Sequence, residues 1–138
     1  MIKQIKTIQE MTKILVTNDK LLEKTIPCSK GEWVQWLCQE IENPRIVVFA
    51  DFENGKINAY VVILNNVMPP VFDAVSVLYL WSPSNHKTTR ALIERSKEFA
   101  IKIGAIRGVI SVPTDHTDKY IETFGGTKIA NVFEWRAI

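Results

Sequence analysis

The stretch AVSVLYLWSPSNHKTTRALIERSKEFAIKIGAIRGVISV, Ala74 to Val112, decides the fold of this chain. Its opening, Ala74–Trp81, is rich in β-branched and aromatic side chains and runs into the break Ser82-Pro83-Ser84, so it reads as a buried strand. A helical pattern follows over 86–103. Leu92, Ser96, Phe99 and Ile103 recur at three- and four-residue spacing with Ile93 and Ala100 beside them, while Arg90, Glu94, Lys97, Glu98 and Lys102 favour the solvent side. Arg90/Glu94 and Glu98/Lys102 stand four apart with opposite charge, pairs worth about 0.3 kcal/mol each. Gly104 supplies the stop, and Ile106–Val112 is a second strand bounded by Pro113. Two strands joined by such a helix lie parallel or nearly so, through a crossover. Ligands of open α/β sheets bind beyond the carboxyl ends of such strands. Here those ends are Leu80-Trp81-Ser82 and Ser111-Val112-Pro113.

Upstream of this unit, Arg45–Phe52 and Lys56–Leu64 are strand-like runs on either side of Glu53-Asn54-Gly55, whose Asn-Gly pair suits a tight antiparallel hairpin. Asn65–Asp73, with Met68-Pro69-Pro70 inside it, reads as a loop. Earlier still, Ile2–Lys6 is a short opening strand. Thr7-Ile8-Gln9-Glu10 is a capping box that starts a helix carrying Ile8, Met11, Ile14 and Leu15 on one face. A second capping box, Ser29-Lys30-Gly31-Glu32, starts a helix with Trp33, Trp36, Leu37 and Ile41 as its apolar stripe, ended by Asn43-Pro44. Downstream, a short helix from Asp115 to Phe124 ends at Gly125-Gly126, and Thr127–Ile138 forms a last strand. The order β-α-α-β-β-β-α-β-α-β predicts one domain over 1–138. Its class is α/β (α+β), with a mixed, mostly antiparallel sheet around a central parallel strand–helix–strand unit and helices on both faces.

Composition narrows the function. With 17 basic and 15 acidic residues the formal net charge is +2, too balanced for a nucleic-acid surface, which needs clustered Lys and Arg. Cys28 and Cys38 have no metal-ligand spacing and read as reduced packing residues. No metal site, Ser-His-Asp set or phosphate-loop motif is apparent. The longest apolar run, Ala59–Leu64, is far shorter than the ~20 residues of a membrane span, and Met1–Gln4 begins no secretory h-region. A cytoplasmic protein without membrane contact is expected.

Three strings, in their order and spacing, resemble the GNAT N-acetyltransferase superfamily over nearly the whole chain. They are Leu80-Trp81-Ser82-Pro83, Thr89-Arg90-Ala91-Leu92-Ile93-Glu94, and Tyr120-Ile121-Glu122-Thr123-Phe124-Gly125-Gly126. The resemblance implies acyl-CoA wedged between a splayed fourth and fifth strand. Backbone at Leu80, Trp81 and Ser82 would pair with the pantetheine arm as an added strand does. The pyrophosphate would rest at the start of the following helix, near Lys87, Thr88, Thr89 and Arg90. The family's usual glycine-rich loop is replaced by Ser84-Asn85-His86-Lys87-Thr88-Thr89, and no glycine lies between Gly55 and Gly104. The family's frequent helix-end tyrosine is replaced by Ile121, with Tyr120 one position away, about 100° round the helix.

The implied activity is acyl-CoA-dependent N-acyl transfer, with acetyl-CoA as donor and a primary amine of a small molecule or protein as acceptor. The glycine-free loop and displaced tyrosine motivate an alternative, a degenerate, non-catalytic GNAT-like domain serving as a binding or structural component of a viral or larger assembly. Homodimerisation through a sheet edge stays open. Candidate catalytic groups are Tyr120 as the acid for the leaving thiolate, His116 as a base near neutral pH, and Asp73 before the fourth strand as an acidic base. His86 follows the other parallel strand end and also reads as a plain loop residue. Thr114 or Asp115 suits a helix cap. Asp51 and Glu53, flanking the Asn-Gly turn, read most simply as solvated, and Trp33 and Trp36 as packing or rim residues. Trp81 lines the acyl pocket or covers the sheet.

Overall fold

A computed structural model describes residues 1–26, 28–43, 45–65, 74–83, 86–105, 107–110, 122 and 125–127. The hairpin and the strand–helix–strand unit form as their patterns require. β1 (Ile2–Gln4), β2 (Ile46–Glu53), β3 (Lys56–Asn65), β4 (Ala74–Trp81) and β5 (Arg107–Ile110) make one sheet in the order β1-β2-β3-β4-β5. The first four are antiparallel neighbours, and β5 runs parallel to β4. Asn54 (φ 53°) and Gly55 (φ 75°) both turn through the left-handed region between β2 and β3, as a two-residue hairpin demands.

The helices divide between the two faces. On one lie α1 (Ile8–Thr12), which tightens into a 3₁₀ turn over Lys13–Val16, then α2 (Leu22–Thr25) and α3 (Lys30–Glu40). Their core joins Met11, Ile14, Leu22, Trp33 and Leu37 to Val48, Tyr60, Val62, Tyr79 and Trp81 of the sheet. On the other face, α4 (His86–Lys102) lays Leu92 and Ala100 on Val47, Phe49, Val61, Ile63 and Val75. Gly104 (φ 83°) ends α4 in a Schellman arrangement, with Ala105 N–H donating to the Ala100 carbonyl at 2.8 Å and Gly104 N–H to that of Ile101 at 3.1 Å.

Of the two expected capping boxes, one is complete and one is half-formed. Thr7 accepts from Glu10 N–H at 3.1 Å, but it is Lys6 N–H, not that of the cap Thr7, that donates to the Glu10 carboxylate at 3.2 Å. Ser29 and Glu32 exchange both bonds, each at 3.2 Å. The first helix departs from its expected face. Met11 and Ile14 are buried, but Ile8 and Leu15 are 58% and 45% exposed. The change to 3₁₀ geometry at Lys13 alters the angle between successive side chains and turns Leu15 out, while Ile8 stands at the first position of the helix. On α4, Glu94 pairs with Lys97 (3.1 Å) and Glu98 with Arg95 (3.6 Å), one residue short of the expected four-residue spacing.

Two β-bulges fix what the far end of the sheet presents. Between β3 and β4 the register moves from Val62↔Tyr79 to Ile63↔Val77, leaving Leu78 as an extra residue. Strict alternation would place Tyr79 and Trp81 on the α4 face with Val75 and Val77. The bulge turns them to the α1–α3 face and sends Leu80 to the α4 side. Between β2 and β3 the register moves from Asp51↔Ala59 to Phe52↔Ile57, leaving Asn58 extra and putting Ile57 on the α1–α3 face as well. Ile57 and Trp81 therefore meet on one face only because each strand carries a bulge.

Candidate active site

Those two residues floor a cavity of about 590 Å³ at the carboxyl end of β4. Lys13, Val16, Thr17 and Asn18 wall it on the side of the 3₁₀ turn; Asp51, Glu53, Lys56 and Asn58 come from the hairpin end; Pro83 and Thr88 come from the link into α4. Its border takes in one of the two strand ends expected from the strand–helix–strand pattern, while the other, Ser111-Val112-Pro113, lies outside the described residues. The described β4–β5 pairing covers Ala74–Val77 with Arg107–Ile110. Among the described residues, no strand pairs with that side of β4 over Leu78–Trp81.

The seven residues expected to bind the donor all fall among those described. Leu80 is half-buried towards the α4 layer, and Trp81 is buried against Tyr60, ring centroids 6.0 Å apart. Trp81 thus both covers the sheet and borders the cavity. Lys87, Thr88, Thr89 and Arg90 belong to the start of α4, which begins at His86 with only four residues between it and Trp81. Lys87 and Arg90 are exposed and Thr88 borders the cavity. Thr89 is 8% exposed and donates its hydroxyl to Ser82 Oγ at 2.8 Å, stapling the helix start to the strand end. Asp73, His116 and Tyr120 lie outside the described residues, as do Thr114, Asp115 and the expected last strand apart from Thr127. His86 is exposed at the start of α4. The structure brings Trp81, Ser82, Thr88 and Thr89 together and leaves Trp33 and Trp36 in the layer of α3, stacked at 5.5 Å.

Asp51 and Glu53 both border the cavity; Glu53 is exposed, as its solvated reading expects, whereas Asp51 is half-buried and accepts from the Met1 ammonium at 2.9 Å. Glu53 accepts from Asn58 Nδ2 at 2.9 Å, so the bulge residue orients it. Lys13 reaches over the Phe52 ring, 5.7 Å from its centroid, and comes from a helix face that hydrophobic periodicity treats as mere solvent side.

A second polar cluster lies beneath the wall. Asp19 is 5% exposed and accepts four donors. Tyr60 Oη donates at 3.0 Å, Tyr79 Oη at 2.7 and 2.8 Å to the two carboxylate oxygens, and the Leu21 and Leu22 amides at 3.1 and 3.3 Å. Burial, followed by the Asp19 charge, raises the Tyr60 phenol far above the ordinary tyrosine range. For Tyr79 the causes are burial, then its bond to Asp19. Both phenols stay protonated donors at any physiological pH. The sequence signal for this cluster was a need rather than a motif. Two tyrosines in otherwise aliphatic strands require a buried acceptor for their hydroxyls.

The free cysteines are not activated thiols. Burial pushes both up, and Glu32 and Glu23 push Cys28 further. Among the described residues there is no group of three metal-ligating side chains, and no helix is long and apolar enough to cross a membrane.

No protein-family model and no curated protein matches the sequence. Solved structures do match the architecture from end to end. The aminoglycoside N-acetyltransferase AAC(6')-Iy in complex with CoA superposes with a TM-score of 0.77 at 12% identity, over 99% of this chain and 93% of the other. This chain has the GNAT fold. Ribosomal-protein-alanine N-acetyltransferase from Brucella melitensis biovar Abortus 2308 gives a TM-score of 0.71 at 13% identity, covering 99% of each chain. The aminoglycoside 6'-N-acetyltransferase AAC(6')-IG from Acinetobacter haemolyticus gives 0.73 at 11% identity, over 100% and 98%. Within a GNAT fold the cavity lies where β4 hands over to the helix that follows it. The identities are too low to carry residue roles across, so these rest on the geometry here.

Proposed function

We propose that this GNAT-fold protein is an acyl-CoA-dependent N-acyltransferase that uses acetyl-CoA to acylate a primary amine of a small molecule or protein. One observation carries the reading. The cavity opens at the carboxyl end of β4 directly beside the first turn of α4, and its border includes Trp81 and Thr88. The three structural neighbours named above, N-acetyltransferases by description, support the reaction class.

The residues present fit the donor. α4 is 17 residues long, so its amino end carries a substantial positive partial charge suited to a pyrophosphate. Lys87 and Arg90 add two exposed cations there. The Ser82–Thr89 bond does part of the work that close packing of a glycine-rich loop would do, by fixing the helix start against the strand. Leu78–Trp81 offers backbone for the pantetheine amides. Bound there, acyl-CoA supplies an activated thioester carbonyl to the cavity. The buried indole of Trp81 excludes water from that point. Glu53 attracts the ammonium form of an acceptor, while Asp51 is already paired with the Met1 ammonium at 2.9 Å. Tyr120, His116 and Asp73 remain the candidates for moving the proton off the attacking amine and onto the leaving thiolate.

Calorimetric titration with acetyl-CoA tests the reading, and no binding at millimolar concentration sinks it. The double variant Lys87→Ala/Arg90→Ala weakens acetyl-CoA binding by roughly ten- to a hundredfold, from the loss of two charge-assisted contacts. Unchanged affinity would mean that neither cation touches the donor.

A second reading, a non-catalytic GNAT-fold binding domain, is favoured by the same helix start. Its turn carries threonines in place of glycines, and the Thr89 hydroxyl is already committed to Ser82. Stable association with a partner protein, unaffected by CoA, would support it.

A further inference from the structure

On the basis of the acyl-transfer reading, we infer that Asp19 is a positioning residue that holds the acceptor wall of the cavity. The wall, Val16–Asn18, runs from the last residue of the 3₁₀ turn towards α2, with Thr17 held back to the Ile14 carbonyl by its amide at 3.1 Å and its hydroxyl at 2.7 Å. Two further side chains pin it. Lys30 of α3 donates from Nζ to the Thr17 carbonyl at 2.6 Å. Asp19, the next residue after the wall, is clamped to Tyr60 of β3 and Tyr79 of β4. Tyr60 stands opposite Trp81 in the strand register. The wall is therefore tied to the same rung of the sheet that carries the cavity floor, and the width of the cavity depends on this carboxylate together with Lys30.

The cluster demands an acceptor and nothing else. Two phenols and two amides all point their hydrogens at Asp19, and the Trp33 indole packs edge-on against the Tyr79 ring beside them, centroids 5.8 Å apart. A carboxylate offers about four lone-pair sites and no donor. Asparagine has the same shape but turns an NH₂ group against surrounding donors. Asp19 does not border the cavity, so it acts through Val16–Asn18 and touches no substrate. The donor side is built on a different element, the first turn of α4, and should not feel its loss.

The test compares the unaltered chain with Asp19→Asn and with Lys30→Met. The second variant keeps the aliphatic stem and helix propensity of residue 30 and leaves the buried cluster intact, so it remains informative should Asp19→Asn fold poorly. Amide hydrogen exchange over residues 16–22 is expected to rise about tenfold in Asp19→Asn and severalfold in Lys30→Met, with β2, β3 and α4 unchanged. In acetyl transfer to sisomicin and to an alanine-initiated peptide, the acceptor KM is expected to rise about tenfold for whichever probe is used. The kcat and the acetyl-CoA affinity should stay within about threefold. Exchange unchanged over 16–22, or rising equally through the sheet, overturns the inference. So does an acetyl-CoA affinity that falls as far as the acceptor KM rises. If the unaltered chain binds no acetyl-CoA, the acyl-transfer reading fails separately, and the anchor is then decided by the exchange pattern alone.

Discussion

On the α4 side of the sheet, Val47, Phe49, Ala59, Val61, Ile63 and Val75 meet Leu92 and Ala100, and the buried Ser96 satisfies itself on the Leu92 carbonyl at 2.9 Å. On the α1–α3 side, five aromatic rings crowd around a carboxylate. Trp33, Trp36, Tyr60, Tyr79 and Trp81 form an unbroken chain of ring contacts between 5.5 and 6.0 Å, and Asp19 sits among the two tyrosines. The apolar layer is held by dispersion and burial, which are lost in proportion to the atoms removed. The mixed layer is held by complementarity between donors and one acceptor, which is lost as a unit. The cavity adjoins the second kind of layer, where placement is specified more tightly than by packing alone.

The largest expected effect tests this contrast directly. Asp19→Ala leaves two phenols and two amides without their acceptor and should cost about 4 kcal/mol. Leu92→Ala, a fully buried truncation on the other face, should cost about 3 kcal/mol. Urea midpoints with unchanged m-values measure both. If Asp19→Ala proves milder than Leu92→Ala, the cluster is decoration on an ordinary core and the contrast between the faces collapses.

What the sequence disclosed follows the same division. The α4 side was legible because it is built from local signals: strands rich in β-branched and aromatic residues, a three-and-four-residue stripe, and a glycine stop whose φ of 83° only glycine adopts freely. The ends of β4, Ala74 and Trp81, coincide with those read from composition and breakers. The cavity side was less legible because its making is non-local. Nothing near Asn58 or Leu78 in the sequence marks an extra residue, yet those bulges decide which face Ile57, Tyr79 and Trp81 occupy. Asp19 follows Asn18 between two helices, as turn residues do, and its partners are 41 and 60 residues away. α2, only four residues long, is too short to show a period.

A smaller effect sharpens the comparison by pH. Tyr79→Phe keeps the ring and removes one hydroxyl donor, costing about 1 kcal/mol near neutrality. Its pH dependence carries the more distinctive signature. Burial and the bond to Asp19 hold the folded Tyr79 phenol above its unfolded value of about 10. Above that pH the unfolded chain releases protons that the folded chain retains. The stabilisation is therefore complete below about pH 10 and falls as pH rises through that range. Urea midpoints at pH 8 and pH 10.5 should show a drop in the unaltered chain that Tyr79→Phe reduces. Phe99→Leu, which removes a ring packed edge-on against Phe49 on the other face, should lower both midpoints and leave the drop between them unchanged.

The smallest effects concern how the helices of the two faces begin. α3 is started by its own sequence, through the Ser29–Glu32 exchange. The start of α4 is tied to the sheet, through Thr89 and Ser82. Ser29→Ala should cost about 1 kcal/mol by loss of the cap and leave acetyl-CoA affinity alone, because α3 supplies no residue to the cavity border. Thr89→Val removes a single hydroxyl of the same bulk, for a loss of about 0.5–1 kcal/mol, but it loosens the turn that presents Lys87 and Arg90. Its expected signature is a small stability change accompanied by a severalfold weaker acetyl-CoA affinity. If the two variants lower stability alike and neither changes affinity, the strand–helix staple is an ordinary cap, and the donor does not depend on where α4 begins.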